Sequence, residues 1–131
     1  MKLQKYLTCT AALFFCLCLA GAGLAESIIS GHYSSKTPTR LILEINIGSP
    51  APENLIVIQH VPPGTAVANA SPALKKYNKK KGEIRWLLRN VQAGTLRLQL
   101  TLQTPVNPDM VHAEIRCKNP ASRQMITTTV R

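Results

Sequence analysis

From residue 40 onward the chain alternates apolar and polar side chains with a period of two. In "RLILEINI", residues 40–47, Leu41, Leu43, Ile45 and Ile47 fall on one side, and Arg40, Ile42, Glu44 and Asn46 on the other. "LRLQLTL", residues 96–102, repeats the pattern, setting Leu96, Leu98, Leu100 and Leu102 against Arg97, Gln99 and Thr101. Successive side chains of a pleated strand point to opposite faces, so this is the signature of a sheet with one face buried. "ENLIVIQHV" is a denser run in which Leu55, Val57, Gln59 and Val61 share a face. "EIRWLL" predicts a short strand with Ile84, Trp86 and Leu88 turned inward. "MVHAEIRC" aligns Val111, Ala113, Ile115 and Cys117, which puts the thiol on the apolar side. "QMITTTV" is a β-branched final strand, and "SIISGHY" adds an edge strand. No segment of helical length carries a clean 3.6-residue period.

Turn chemistry separates these runs: Gly48-Ser49-Pro50-Ala51-Pro52, Pro62-Pro63-Gly64, Ala93-Gly94, Pro105-Val106-Asn107-Pro108 and Asn119-Pro120. Each proline falls outside a predicted strand, as ladder hydrogen bonding demands. Many short strands at regular spacing over about 100 residues predict an all-β fold, an antiparallel sandwich of about seven strands. No internal repeat or long linker divides it, so residues 26–131 form a single domain.

The first 25 residues follow a different pattern. Lys2 and Lys5 precede an uncharged apolar run at 7–19, and Ala20, Gly21, Ala22, Gly23 and Ala25 supply the small side chains that a signal peptidase requires. The expectation is a signal peptide of residues 1–25 cut after Gly23-Leu24-Ala25, with Ala20-Gly21-Ala22 as the second choice. The rival, an uncleaved anchor, meets an apolar run short of the roughly 20 residues of a span. Cleavage leaves 14 Lys+Arg against 6 Asp+Glu, a net charge of +8, and no transmembrane segment. It also removes Cys9, Cys16 and Cys18. Cys117 then remains alone, either as a buried small hydrophobe or as an intermolecular linker. The localisation implied is secreted or periplasmic.

Two longer runs are more specific than the alternation. "NLIVIQHVPPGTAVANASP", residues 54–72, is followed by "GEIRWLLRNVQAGTLRLQLTL", residues 82–102. Together they resemble the Ig-like repeat domains of bacterial and archaeal surface proteins, a domain family of unknown function. Those domains carry a strand, a Leu-Pro-x-Gly turn, a short strand ending near Ser-Pro, a Trp-containing strand, an Ala-x-Gly turn and an alternating strand. The matching positions here are Val61-Pro62-Pro63-Gly64, residues 65–72, residues 84–88, Ala93-Gly94 and residues 96–102. The resemblance extends over about residues 39–130 and implies an Ig-like sandwich. This chain departs from the pattern in having neutral Gln59 near a usually acidic position, and in being a lone basic module where relatives are tandem and acidic.

Catalytic chemistry finds little support. His32, His60 and His112 lie on three predicted segments with no second ligand at metal-binding spacing. The carboxylates are scattered, and His112 falls on the opposite strand face from Cys117, so no Cys–His nucleophile is predicted. Phosphate-binding glycine loops are missing from the sequence. The chain reads as a non-enzyme without a cofactor.

Two features point to partners. Met125, Ile126, Thr127, Thr128, Thr129 and Val130 form an uncharged, β-prone strand, suited to pairing with another chain if it lies at a sheet edge. Lys75, Lys76, Lys79, Lys80 and Lys81 crowd around Tyr77 in what reads as a solvated, mobile loop. Arg85, Arg89 and Arg97 point outward and would extend that charge if their strands share a face. The leading expectation is an exported, non-catalytic Ig-like module for protein–protein assembly or adhesion at the cell envelope, by self-assembly or with another protein. The alternative is binding of an anionic envelope polysaccharide or lipid through Lys75, Lys76, Lys79, Lys80, Lys81 and Arg85. Export and the scarcity of aromatic residues argue against nucleic acid. A simple solubilising role for the lysines stands beside both.

Overall fold

The computed structural model describes residues 28–131. The predicted signal peptide lies outside these residues. Nine strands follow in order: β1 (Ile29–Lys36), β2 (Arg40–Ile47), β3 (Asn54–His60), β4 (Val67–Ser71), β5 (Lys76–Asn78), β6 (Glu83–Arg89), β7 (Gly94–Leu102), β8 (His112–Lys118) and β9 (Met125–Val130). A 3-10 turn, Pro108–Met110, leads into β8 and is capped by the Asn107 side chain, which accepts from the Asp109 amide at 3.0 Å.

The strands form two antiparallel sheets, ordered β1-β2-β7-β4 and β5-β6-β3-β8-β9. The trio β1-β2-β7 opposite β3-β8-β9 shares the A-B-E against C-F-G division of the immunoglobulin sandwich. The strand count exceeds the predicted seven by two, β4 and β5: neither carries a clean apolar alternation, and a short strand before Ser71-Pro72 was expected only from the family resemblance. "SIISGHY" does contribute an edge strand, β1.

The alternating apolar positions meet between the sheets. Leu41, Leu43, Ile45 and Ile47 from β2 and Leu98, Leu100 and Leu102 from β7 face Leu55, Val57, Ile84, Trp86, Ile115 and Cys117 from the other layer, all buried. Burial of each such aliphatic side chain stabilises the fold by about 1.5–3 kcal/mol. Trp86, only 1% exposed, anchors the centre, and its indole N–H donates to the Pro72 carbonyl at 3.0 Å. Gln59, also 1% exposed, joins the layers: its amide donates to the Tyr33 hydroxyl of β1 at 2.6 Å and to the His112 carbonyl at 3.3 Å. Burial pushes the Tyr33 phenol up to about 12, against the opposing pull of the Gln59 hydrogen bond.

Two close approaches fix the framework at the β9 edge and at the β5–β6 turn. A side chain at Gly31 would meet Ile115 Cδ1 and Val130 Cγ2 at 2.8 and 2.9 Å, so β1 lies tightly over the end of β9. Gly82, with φ +68°, enters β6 where a Cβ would overlap the Val61 carbonyl oxygen. Its own carbonyl accepts from Val61 N–H at 2.8 Å, and its amide donates to Asn78 at 2.9 Å. Among the described residues, no helix is long and apolar enough to cross a membrane.

Candidate functional site

Each sheet has two edges, and the sequence treats the four differently. Exposed edges invite pairing with other chains and are commonly blunted by bulges, charge, proline or shortness. The register of β1 is broken by a bulge between Tyr33 and Ser35. β4 has a register shift between Val67 and Asn69 and runs straight into Pro72. β5 is three residues long and set among lysines. β9 carries none of these devices. Its six residues pair with β8 in unbroken register, from Ala113 with Val130 to Lys118 with Met125. Residues 124–130 are uncharged and contain no proline.

The predicted pairing strand therefore does lie at an edge. Val130 is buried, Ile126 and Thr128 are half-buried at the core margin, and Met125, Thr127 and Thr129 are exposed. Exposed large hydrophobic side chains mark both ends of this edge. Met125, 63% exposed, begins β9, while Met110, 59% exposed, stands three residues before Ala113, the partner of Val130.

Cavities also flank β9 at its two ends. An open groove of about 580 Å³ beside Met125 is lined by Arg116, Lys118 and Arg123, with Glu53 as its carboxylate. A smaller one of about 150 Å³ is lined by Lys36, His112 and Arg131, with Asp109 as its carboxylate.

The lysine-rich stretch is not loop throughout: Lys76–Asn78 form the strand β5, and turn residues follow. Lys75 N–H donates to the Arg85 carbonyl at 2.7 Å, and Lys79 accepts from Gly64 N–H at 2.9 Å. The Tyr77 ring packs on the core and its hydroxyl donates to the Thr65 carbonyl, so it is no stacking platform. Burial raises the Tyr77 phenol above its ordinary value. The charges nevertheless stay in water: Lys75, Lys76, Lys79, Lys80, Lys81 and Arg85 are all exposed, with no ion pair among the described residues. Lys76 sits directly opposite Arg85 in the β5–β6 ladder.

Arg97 does not join this field. β6 and β7 are consecutive in sequence but belong to different sheets, so Arg85 and Arg89 project from one outer face and Arg97 from the other. There Arg97 approaches Glu44 at 3.9 Å. The outer face of the five-stranded sheet carries Lys76, Arg85, Arg89, Arg116 and Lys118 against Glu83 and Glu114, and Arg116 is bound to Glu114 at 2.7 Å.

One constellation was not foreseen from the sequence. His60 and His112 are cross-strand partners, and their rings stack at 4.4 Å with a 10° interplanar angle. His60 Nε2 is buried without a hydrogen-bond partner, 3.6 Å from Glu114 Oε1. Desolvation holds His112 below the usual imidazole value; His60, Arg131 and Lys36 reinforce this, and Glu114 opposes it. Among the described residues, no three His, Cys, Asp or Glu side chains converge for a metal ion. Cys117 is buried, and burial pushes its thiol up, away from the thiolate. Comparison of the chain with family models, with curated proteins and with solved structures finds no match.

Proposed function

We propose that this protein is an exported, non-catalytic sandwich module that assembles by accepting a strand of another polypeptide at the β9 edge. The observation that carries this reading is the contrast among edges: three are blunted, and β9 is regular, uncharged and six residues long. An added strand would satisfy the outward backbone groups of β9 and place alternate side chains beside Ile126 and Thr128 at the core margin. The Ig-like resemblance of residues 39–130 to surface-protein modules agrees with such a role.

Proline scanning tests it. Adjacent amides of a strand alternate between neighbours. One of Thr127→Pro and Thr128→Pro therefore removes an amide facing β8, and the other an amide facing outward. The variant that keeps the wild-type melting temperature is expected to lose the protein's high-molecular-weight complex on native gels of the envelope fraction. An unchanged complex in that variant would remove the proposal.

A second reading, binding of an anionic envelope polymer, draws support from the β5–β6 hairpin. Like charges directly opposite in a ladder are destabilising, and Lys76 faces Arg85 with no carboxylate between them. A bound anion would relieve that repulsion. Heparin retention should then fall steeply with salt, and fall further in Lys76→Glu and Arg85→Glu than in Arg97→Glu. Equal loss in all three would reduce the signal to net charge.

A further inference from the structure

The reading of β9 as an accepting edge can be carried to the chemistry of what it accepts. We infer that the strand received by β9 belongs to a different, acidic protein: an extended neutral segment with carboxylates at both ends. The inference rests on the edge reading above and adds the identity of the partner surface.

The charge pattern along the edge carries it. Residues 124–130 are neutral, and Arg123 and Arg131 bracket them. At the Met125 end, Lys118 and Arg123 line the groove. At the Val130 end, Lys36 and Arg131 line the smaller cavity. None of these four cations has a carboxylate within ion-pair distance among the described residues. Lys36 instead lies over the Tyr33 ring, 5.0 Å from its centroid. An incoming strand about 4.8 Å from β9 would set its own ends beside these groups. Carboxylates there would be attracted whichever way the strand runs.

The same pattern disfavours a second copy of this chain. Antiparallel self-pairing centred between Thr127 and Thr128 sets Arg131 opposite Gln124, next to Arg123 of the other copy. Parallel pairing in register sets Arg123 beside Arg123 and Arg131 beside Arg131 at about 4.8 Å. Residues 28–131 also carry 14 Lys+Arg against 5 Asp+Glu, so two copies repel before they touch. The exposed methionines at the two ends supply adaptable apolar contact for a partner of another sequence.

Three synthetic peptides test the inference on the whole protein. They share an alternating valine–threonine core and are flanked at both ends by glutamates, glutamines or lysines. Binding is read by fluorescence anisotropy at low and high salt, and self-association by sedimentation. The glutamate-flanked peptide should bind at least tenfold more tightly than the lysine-flanked one, with the glutamine-flanked peptide between. Lys118→Glu with Arg123→Glu should abolish that preference by weakening the glutamate-flanked peptide far more than the glutamine-flanked one, and the protein alone should sediment as a monomer. Equal affinity for all three peptides overturns the acidic partner and leaves the edge reading in place. So does a dimer abolished by the stable proline variant of β9. A polyglutamate without the strand core that binds as well as the glutamate-flanked peptide overturns it too, in favour of diffuse polyanion attraction. Failure of all three peptides removes the edge reading itself.

Discussion

Gly82 allows a quantitative test of how the basic hairpin is joined to the sandwich. In Gly82→Ala two costs coincide. The residue sits at φ +68°, and holding an L-residue in the left-handed region costs about 1–2 kcal/mol. The new Cβ also overlaps the Val61 carbonyl, a backbone atom that cannot swing aside. Relief of that overlap displaces two hydrogen bonds, Val61 N–H to Gly82 O and Gly82 N–H to Asn78 O, each with a net value of about 1 kcal/mol. The expected loss is therefore about 3–4 kcal/mol, a large share of a typical domain stability of about 5–15 kcal/mol.

Gly64→Ala supplies the control. Gly64 has φ +83° with no atom within 4 Å of a Cβ, so it carries the conformational cost alone, about 1–2 kcal/mol. Urea unfolding followed by the fluorescence of Trp86, the one tryptophan of the chain, reads both variants at constant m-value. A Gly82→Ala loss within about 0.5 kcal/mol of the Gly64→Ala loss would refute the steric reasoning.

Three further outcomes follow from the packing. Because His112 is held below the unfolded value of 6.5, the unfolded chain binds the proton more readily. Stability should thus be full above pH 6.5 and fall as pH drops towards the lowered value, and His112→Asn should flatten that slope in urea titrations at pH 7.5 and 5. Trp86→Phe leaves the Pro72 carbonyl without its donor and shrinks the central side chain, for an expected loss of about 2–3 kcal/mol by chemical denaturation. Cys117, 3% exposed with its thiol pushed up, should resist a maleimide in the native protein and react fully in 6 M guanidinium; rapid native labelling would contradict its placement in the core.

Strand identity was legible wherever one face is buried. The inward sets of β2, β7 and β8 are the ones that the alternation picks out, and Trp86 and Cys117 lie where their runs placed them. Polar sequence hid β5, because Lys76-Tyr77-Asn78 has no pattern. Its strand conformation comes from pairing with β6, with Tyr77 packed on the core and the flanking Lys75 and Lys79 bonded to Arg85 and Gly64. The partition of strands between sheets was equally hidden, which is why Arg97 was grouped with Arg85. A turn such as Ala93-Gly94 does not announce that the chain crosses to the other layer. The stack of His60 on His112 depends on the register of β3 against β8, a property of two distant segments together. Ile42 and Ile58 fall on outer faces by periodicity, yet each is 4% exposed; both lie on inner strands, flanked by Ser35 and Gln99 and by Arg85 and Glu114. At the candidate site, the sequence showed the uncharged run at 125–130 and the lysines. That β9 is an edge, and the least protected one, required the topology.

Assembly through the β9 edge, proposed above, can be read in the producing cell by site-specific photo-crosslinking. A photoreactive residue is placed at Thr127 or Thr129 on β9, and at Gln99 or Thr101 on the outer face of the other sheet. One discrete adduct is expected from the β9 positions, mapped to an extended acidic-flanked segment of another protein, and none from β7. The same adduct from the β7 positions, or none from Thr127 and Thr129, would rule out β9 as the assembling edge.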